Sequence, residues 1–481
     1  MGAAMAGLQS KIRNIVVLML ENRSFDSILG RLYPPGERGF DGIPDGASNP
    51  WTGGPGDRVA AWNDDTLVRG SMTVPSPDPG EYFADITTQI FGLGGADTQV
   101  PPPMSGFIDN YVRQTKEPPY DPKAIMHYYT AAQLPVLSAI AKAYAVCDQW
   151  HASAPNQTWP NRFFTHCATA GGYVNNSPPH FPYMMTTIFD RISWAGLANG
   201  WRVYFHDMPQ ALTLAHLWRH RDCFSLFDDF LDDAAKGLLP CYSFIEPRYF
   251  ADLQMPNDQH PPHDVVYAEQ LIAKVYNALR QSPNWNTTLL VITYDEHGGC
   301  FDHAPPPAAV PPGDHRPHEA FAFDRYGVRV PAVLVSPYIR PGTILRPPPA
   351  AGVPLYPYDH TSIIATLRKC FNLGGPLTAR DAAAPDLDAV LELDGPTNFE
   401  LGTIAVPDYQ PTQQDLQNAI GRPLTEMQQG LHALAAVLPG PGDDIEAHIA
   451  QLAAGVLTAL PVPPTAGEAF DFIKQKLAAI I

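Results

Sequence analysis

Five short runs of β-favouring apolar residues, each ending in a polar or charged residue, constrain the fold of this chain more than any other feature. They are Asn14–Leu20 before Glu21, 202–205 before His206-Asp207, 241–245 before Glu246, 288–293 before Tyr294-Asp295-Glu296, and 328–335 before Ser336-Pro337. Continuous Val, Ile and Leu suit strands covered on both faces, as in a mostly parallel sheet. Helical patterns lie between them at 134–145, 265–279 and 362–371, the last with Thr361 as a possible cap. Strand alternating with helix means α/β. Open α/β sheets place ligands beyond the carboxyl ends of their strands, so Glu21, Asp207, Asp295 and Glu296 are expected on one rim.

A chain of 481 residues is long enough for one large α/β domain with insertions, or a catalytic domain with a smaller appendage. Its 52 prolines and 37 glycines, beside 10% aromatic and only 17% charged residues, fit a packed enzyme with many stiff loops and not a disordered chain. Pro-rich excursions fall at 34–57, 99–122, 304–317 and 341–357. We expect a catalytic domain over 1–395 and a mainly helical region over 396–481. The last helix repeats Phe470, Ile473, Leu477 and Ile480 at helical spacing. Its charges are few and mixed, which suits core packing better than an interfacial anchor. The apolar run 15–20 is too short to span a bilayer and has no small-residue cleavage site after it. The six cysteines show neither CxxC nor zinc-finger spacing, and Cys147 and Cys370 sit in apolar patterns. A formal net charge of −18 argues against nucleic acid as a partner. It also means that any site for a phosphate needs a local cation, and a metal ion would supply one.

Three motifs carry polar chemistry. Glu21-Asn22-Arg23-Ser24-Phe25-Asp26 offers a carboxylate and an amide oxygen, either as a hard-metal ligand pair or as a polar turn in which Asn22 or Ser24 caps a helix. Tyr294 to His303, with Asp295-Glu296 and Gly298-Gly299, sets two carboxylates side by side at a strand end, an arrangement that repels itself without a cation. In Asn156-Gln157-Thr158-Trp159-Pro160-Asn161-Arg162, Thr158 reads by itself as an ordinary cap. Arg162 reads as a phosphate clamp or as a packing residue.

The run from Ile15 to Asp26 resembles the signature of the phosphoesterase family that includes bacterial phosphatidylcholine-hydrolysing phospholipases C, plant non-specific phospholipases C and a bacterial acid phosphatase. Similar blocks follow in order: Met104-Ser105-Gly106-Phe107, Pro160-Asn161-Arg162, His260-Pro261-Pro262-His263-Asp264, Thr293 to His303, Phe323 to Pro331, His360 to Thr366, and Leu424 to Gln429. The resemblance implies an alkaline-phosphatase-like α/β sandwich with a central, mostly parallel sheet. It also implies metal ligation by Glu21, Asn22, Thr158, Asp295 and Glu296, with Thr158 as nucleophile. His206, His260 and His360 are the implied acid–base and phosphate-stabilising residues, and Glu81, Arg162 and Asp207 are expected at the substrate phosphate. His303 is either a support to these residues or part of a turn. Two positions depart from the family pattern. Glu81 stands where Asp-Pro-Gly-His would put a histidine, and Gln157 precedes Thr158 where histidine is frequent.

The resemblance therefore implies a phospholipase C that cleaves phospholipid, phosphatidylcholine foremost, into diacylglycerol and a phosphorylated headgroup through a phosphothreonine intermediate. An acid phosphatase acting on monoesters is the alternative, and a catalytically silent lipid-binding relative a remote one. One divalent cation is expected. All-oxygen ligands suit Ca²⁺, Mg²⁺ or Mn²⁺, and relatives in the superfamily extend the choice to zinc or iron. The expected partners are a phospholipid or small phosphate ester, with transient contact at a membrane surface, no transmembrane segment and no nucleic acid. The expected location is cytoplasmic or peripheral to a membrane, with secretion by an unrecognised route left open.

Overall fold

Eight strands form the central sheet: β1 (Asn14–Leu20), β2 (Ala145–Cys147), β3 (Trp201–Phe205), β4 (Phe224–Leu226), β5 (Tyr242–Glu246), β6 (Thr288–Tyr294), β7 (Ala332–Val335) and β8 (Thr343–Leu345). Their order is β8-β2-β7-β6-β1-β5-β3-β4. The computed structural model describes residues 7–54, 56–95, 100–114, 120–314, 321–349, 355–454 and 461–481. Parts of the Pro-rich stretches lie outside the described residues.

Every residue of β1 and β6 is buried, as expected of strands covered on both faces. β1 runs parallel to β5 and β6, and β3 runs parallel to β5 and β4. β7 opposes both its neighbours, so the sheet is mostly parallel, in an α/β architecture. β7 is shorter than the run 328–335 suggests, because Pro331 has no N–H to give the ladder. Residues before it leave the sheet and pair with another segment: Val330 N donates to Trp150 O at 3.0 Å and Ala152 N to Val328 O at 3.1 Å.

Helices α1 (Pro135–Ala143), α2 (Thr158–Cys167), α3 (Val266–Gln281) and α4 (Thr361–Phe371) flank the sheet. The expected helices at 134–145, 265–279 and 362–371 thus form within a residue or two of their sequence boundaries. Helices towards the C terminus include α5 (Gln413–Ile420), α6 (Glu426–Val437), α7 (Ile445–Ala453) and α8 (Ala466–Ile480). Phe470, Ile473 and Leu477 of α8 are buried in the same hydrophobic cluster as the sheet, and Phe470 stacks on Phe250 with ring centroids 5.6 Å apart. The apolar face of α8 is therefore used in packing. Gln428 of α6 donates to the carbonyl of Tyr249 at 2.8 Å, which ties the C-terminal helices to the loop after β5. All six cysteines are free, with Cys147 and Cys370 buried. Among the described residues no helix is long and apolar enough to cross a membrane.

Candidate active site

β6, β1, β5 and β3 are consecutive in the sheet and parallel, so their carboxyl ends bring Asp295-Glu296, Glu21, Glu246 and His206-Asp207 to one rim. Glu21 and Asn22 leave β1 in a sharp turn, with Asn22 at φ 56°. The turn fits because the backbone of the β6 loop comes against it. A Cβ on Gly298, itself at φ 60°, would stand 2.1 Å from the Asn22 carbonyl oxygen, so only glycine serves there. Asn22 N donates to Asp295 Oδ1 at 3.0 Å, and Asn22 Nδ2 donates to Glu296 Oε1 at 2.7 Å. The two motifs read from the sequence are thus locked face to face.

Thr158 opens α2, and its Oγ1 donates to Glu21 Oε2 at 3.4 Å. Asn161 shapes the approach, accepting from Ala154 N at 3.1 Å and donating to Asn156 O at 2.8 Å. Arg162 Nη2 donates to Glu21 Oε1 at 2.6 Å, while other guanidinium nitrogens lie 3.8 Å from Asp295 Oδ2 and 3.9 Å from Glu246 Oε2. Arg162 is placed as the counter-charge of these carboxylates. Its expected place on the substrate phosphate gains no support from this geometry, because its closest partner is Glu21.

The electrostatics call for a cation. Glu21, Asn22, Asp295 and Glu296 are fully buried. Burial first, and then the neighbouring Asp295, push the carboxyls of Glu21 and Glu296 well above the usual range. Asn22 Oδ1 and Asp295 Oδ2 are out of contact with water and have no hydrogen-bond partner. Buried oxygens left without a partner are costly, and a hard divalent ion satisfies them. The residues present therefore fit a divalent metal.

A second group adjoins the first. Glu81 Oε1 accepts from Asn22 Nδ2 at 2.6 Å and lies 3.6 Å from His260 Nε2, and Asp78 Oδ1 lies 3.6 Å from His260 Nδ1. Glu81 therefore faces the cluster. Burial would drain the proton from His260, but Asp78, Glu81 and Asp258 outweigh it and raise its pKa to about 10.

The other expected residues stand elsewhere. His206 stacks on Phe227 at 4.4 Å, hydrogen-bonds the Glu246 carbonyl at 3.0 Å and lines a separate cavity of 510 Å³ with Arg248 and Lys274. The structure does not bring it to Thr158. Asp207 accepts from the backbone N–H groups of Met208, Tyr249 and Phe250 at 2.7–2.8 Å, so its carboxylate organises a loop and leaves little for a substrate. In His360 both ring nitrogens are engaged, Nε2 donating to the Asp295 carbonyl at 2.6 Å and Nδ1 accepting from Trp150 Nε1 at 3.3 Å. Burial lowers the pKa of the ring below the ordinary 6.5. It positions Asp295 and has no nitrogen left for proton transfer. His303 pairs with Asp26 at 2.7 Å, and Arg329 spans Asp26 and Asp302 at 3.1 and 3.0 Å. This ion network clamps the far ends of the β1 and β6 motifs together.

Sequence reasoning missed Glu246, Gln210 and Asp258. Glu246 ends β5 just as Glu21 follows β1, so the same strand-end signal applied to it. It accepts from Gln210 N at 2.8 Å, and Gln210 Nε2 in turn donates to Glu21 Oε1 at 2.7 Å. No sequence signal marks Gln210. Asp258 stood two residues before the His260 block, and it accepts from His263 at 2.7 Å.

The sequence profile of the phosphoesterase family matches residues 12–374. The non-specific phospholipase C3 of Arabidopsis thaliana is 37% identical over 454 residues, covering 90% of this chain and 83% of the relative. Phospholipase C A of Mycobacterium tuberculosis is 27% identical over 462 residues, covering 83% of this chain and 81% of that one. A protein in the alkaline phosphatase superfamily from Vibrio parahaemolyticus matches at a TM-score of 0.32 and 12% identity, over 52% of this chain and 64% of that one, a likeness too loose to build on. The profile spans the strands, the carboxylate cluster and Thr158 alike: the chain belongs to the phosphoesterase family.

Proposed function

We propose that this phosphoesterase is a phospholipase C that cleaves phosphatidylcholine or a related phospholipid on the glycerol side of phosphorus, with Thr158 as the nucleophile. The observation that carries the proposal is the position of Thr158 Oγ1, at the first turn of α2 and 3.4 Å from Glu21 in a buried carboxylate cluster. A helix N-terminus favours negative charge on an oxygen there. Glu21 Oε2, which accepts from Thr158 Oγ1 at 3.4 Å, would orient the hydroxyl for attack.

Glu21, Asn22, Asp295 and Glu296 would hold one divalent cation, which supplies Lewis acidity, lowers the pKa of a neighbouring hydroxyl and offsets phosphate charge. All four donors are oxygen, which suits Ca²⁺, Mg²⁺ or Mn²⁺. Thr158 Oγ attacks phosphorus, the bond to the glycerol oxygen breaks, and diacylglycerol leaves with the proton that Thr158 gives up. The headgroup phosphate remains as a diester on Thr158 until water releases it. His260, whose Nε2 lies 3.6 Å from Glu81, would face this phosphate. The enzyme meets its substrate by transient contact with a membrane surface.

Glu81 bears on the choice of ester. A carboxylate at the phosphate opposes a doubly charged monoester more strongly than a singly charged diester. The test compares p-nitrophenylphosphorylcholine with p-nitrophenyl phosphate. The proposal expects faster turnover of the diester, and preference for the monoester would make this chain an acid phosphatase.

A further inference from the structure

Two carboxylate groups adjoin at this rim, Glu21, Asp295 and Glu296 in one and Asp78 and Glu81 about His260 in the other. Arg162 pairs with Glu21 and Asp295 of the first group, and a second cation would serve the other.

The side chains for that second ion are present. We propose that Asp78, Glu81 and His260 form a second divalent-cation site, next to the one held by Glu21, Asn22, Asp295 and Glu296. One ligand atom from each of the three lies within 4.8 Å of the others. Oxygen and nitrogen ligands at about 2.0–2.5 Å from a common ion stand about that far apart.

The placement of His260 is a further pointer. Its side chain is only 3% exposed. Its Nδ1 donates to the Pro261 carbonyl at 2.7 Å, and its Nε2 faces Glu81 at 3.6 Å. A backbone carbonyl behind one ring nitrogen is the usual support for a histidine whose other nitrogen binds a metal. Asp78 Oδ1 and Asn22 Oδ1 add two oxygens that have no hydrogen-bond partner and no contact with water. Asn22 lies between the two sets, its Nδ2 bonded to both Glu81 and Glu296. That amide supplies partial positive charge between the carboxylates, and turned over it presents Oδ1 to a cation instead.

The two sites differ in chemistry. The first offers oxygen alone, whereas the second includes an imidazole and suits a softer ion such as Zn²⁺. The inference rests on the phosphoesterase reading and alters one part of it: His260 serves as a ligand and not as an acid. Two neighbouring cations can bind different oxygens of one phosphate.

The test counts metal on the full-length chain. Protein stripped with chelator and re-equilibrated with Mn²⁺ is analysed by mass spectrometry for bound metal and by electron paramagnetic resonance. The expected result is two bound ions with a spin-coupled signal in the native chain. One ion with an isolated signal is expected in Glu81→Gln, which keeps an acceptor for Asn22, and in His260→Asn, with circular dichroism confirming that both fold. A single ion in the native chain, or any loss other than one ion in the folded variants, overturns the second site. Hydrolysis of phosphorylcholine esters by a chain that binds one ion would leave the proposed function standing and remove only this inference.

Discussion

Replacing Arg162 with methionine should leave Glu21 as a buried carboxylate without its partner. The guanidinium is 3% exposed, 2.6 Å from Glu21, 3.8 Å from Asp295 and 3.9 Å from Glu246. At 4 Å and an effective dielectric of 20, one such pair is worth about 4 kcal/mol before desolvation. Desolvation cancels much of that, and removing one partner of a buried pair costs about 3–5 kcal/mol. The cost depends on pH with a definite sign. The folded pKa of Glu21 already lies well above 4.5, and Arg162 is the neighbour that lowers it, so the substitution raises it further. The penalty is absent below the unfolded carboxylate pKa of about 4.3 and grows as pH rises through the folded value. Urea unfolding of chelator-treated protein at pH 5 and pH 8 measures it. Arg162→Met should cost several kcal/mol at pH 8 and clearly less at pH 5, and Glu21→Gln in the same chain should recover part of the loss. A cost below about 1 kcal/mol at pH 8, or simple additivity in the double variant, would refute the pairing.

Three further outcomes follow from the geometry. Gly298→Ala places a Cβ 2.1 Å from the Asn22 carbonyl at a φ of 60°, a conformation that alone costs about 1–2 kcal/mol. It should lower both melting temperature and turnover, and an active, equally stable variant would show that the loops need not meet so closely. Burial would lower the pKa of His303, but Asp26 and Asp41 raise it to about 10 from an ordinary 6.5. Its stabilisation, roughly 2–4 kcal/mol, is complete below pH 6.5 and lost as pH rises to 10, so His303→Gln should flatten stability against pH over that window. A slope unchanged from native would place the titration elsewhere. His206→Asn should change turnover less than threefold, since the ring packs on Phe227 in a separate cavity. A drop of a hundredfold would restore it to the catalytic set.

The sheet was legible because fully buried parallel strands leave uninterrupted apolar runs, and β1 and β6 fall where those runs do. The carboxylates were legible because a strand end is where such a sheet can expose them to a ligand. What the sequence did not carry was side-chain direction. His206 and Asp207 follow β3 much as Glu21 and Asn22 follow β1, yet His206 turns onto Phe227 and Asp207 is taken up by three backbone N–H groups. His360 lay in a family block, but only the structure shows both its nitrogens engaged. Gln210 reaches the site from the start of a short 3-10 helix after β3, without a periodic pattern to mark it. Arg162 looked like a phosphate clamp because the residues it neutralises are far away in sequence.

The central claim is that Thr158 takes the phosphoryl group. Turnover of phosphatidylcholine quenched in acid, followed by peptide mass spectrometry, tests it most directly. The account predicts a phosphocholine adduct on the peptide containing Thr158, absent from Thr158→Ala, together with loss of diacylglycerol release in that variant. An adduct on another residue, or undiminished release from Thr158→Ala, would contradict it.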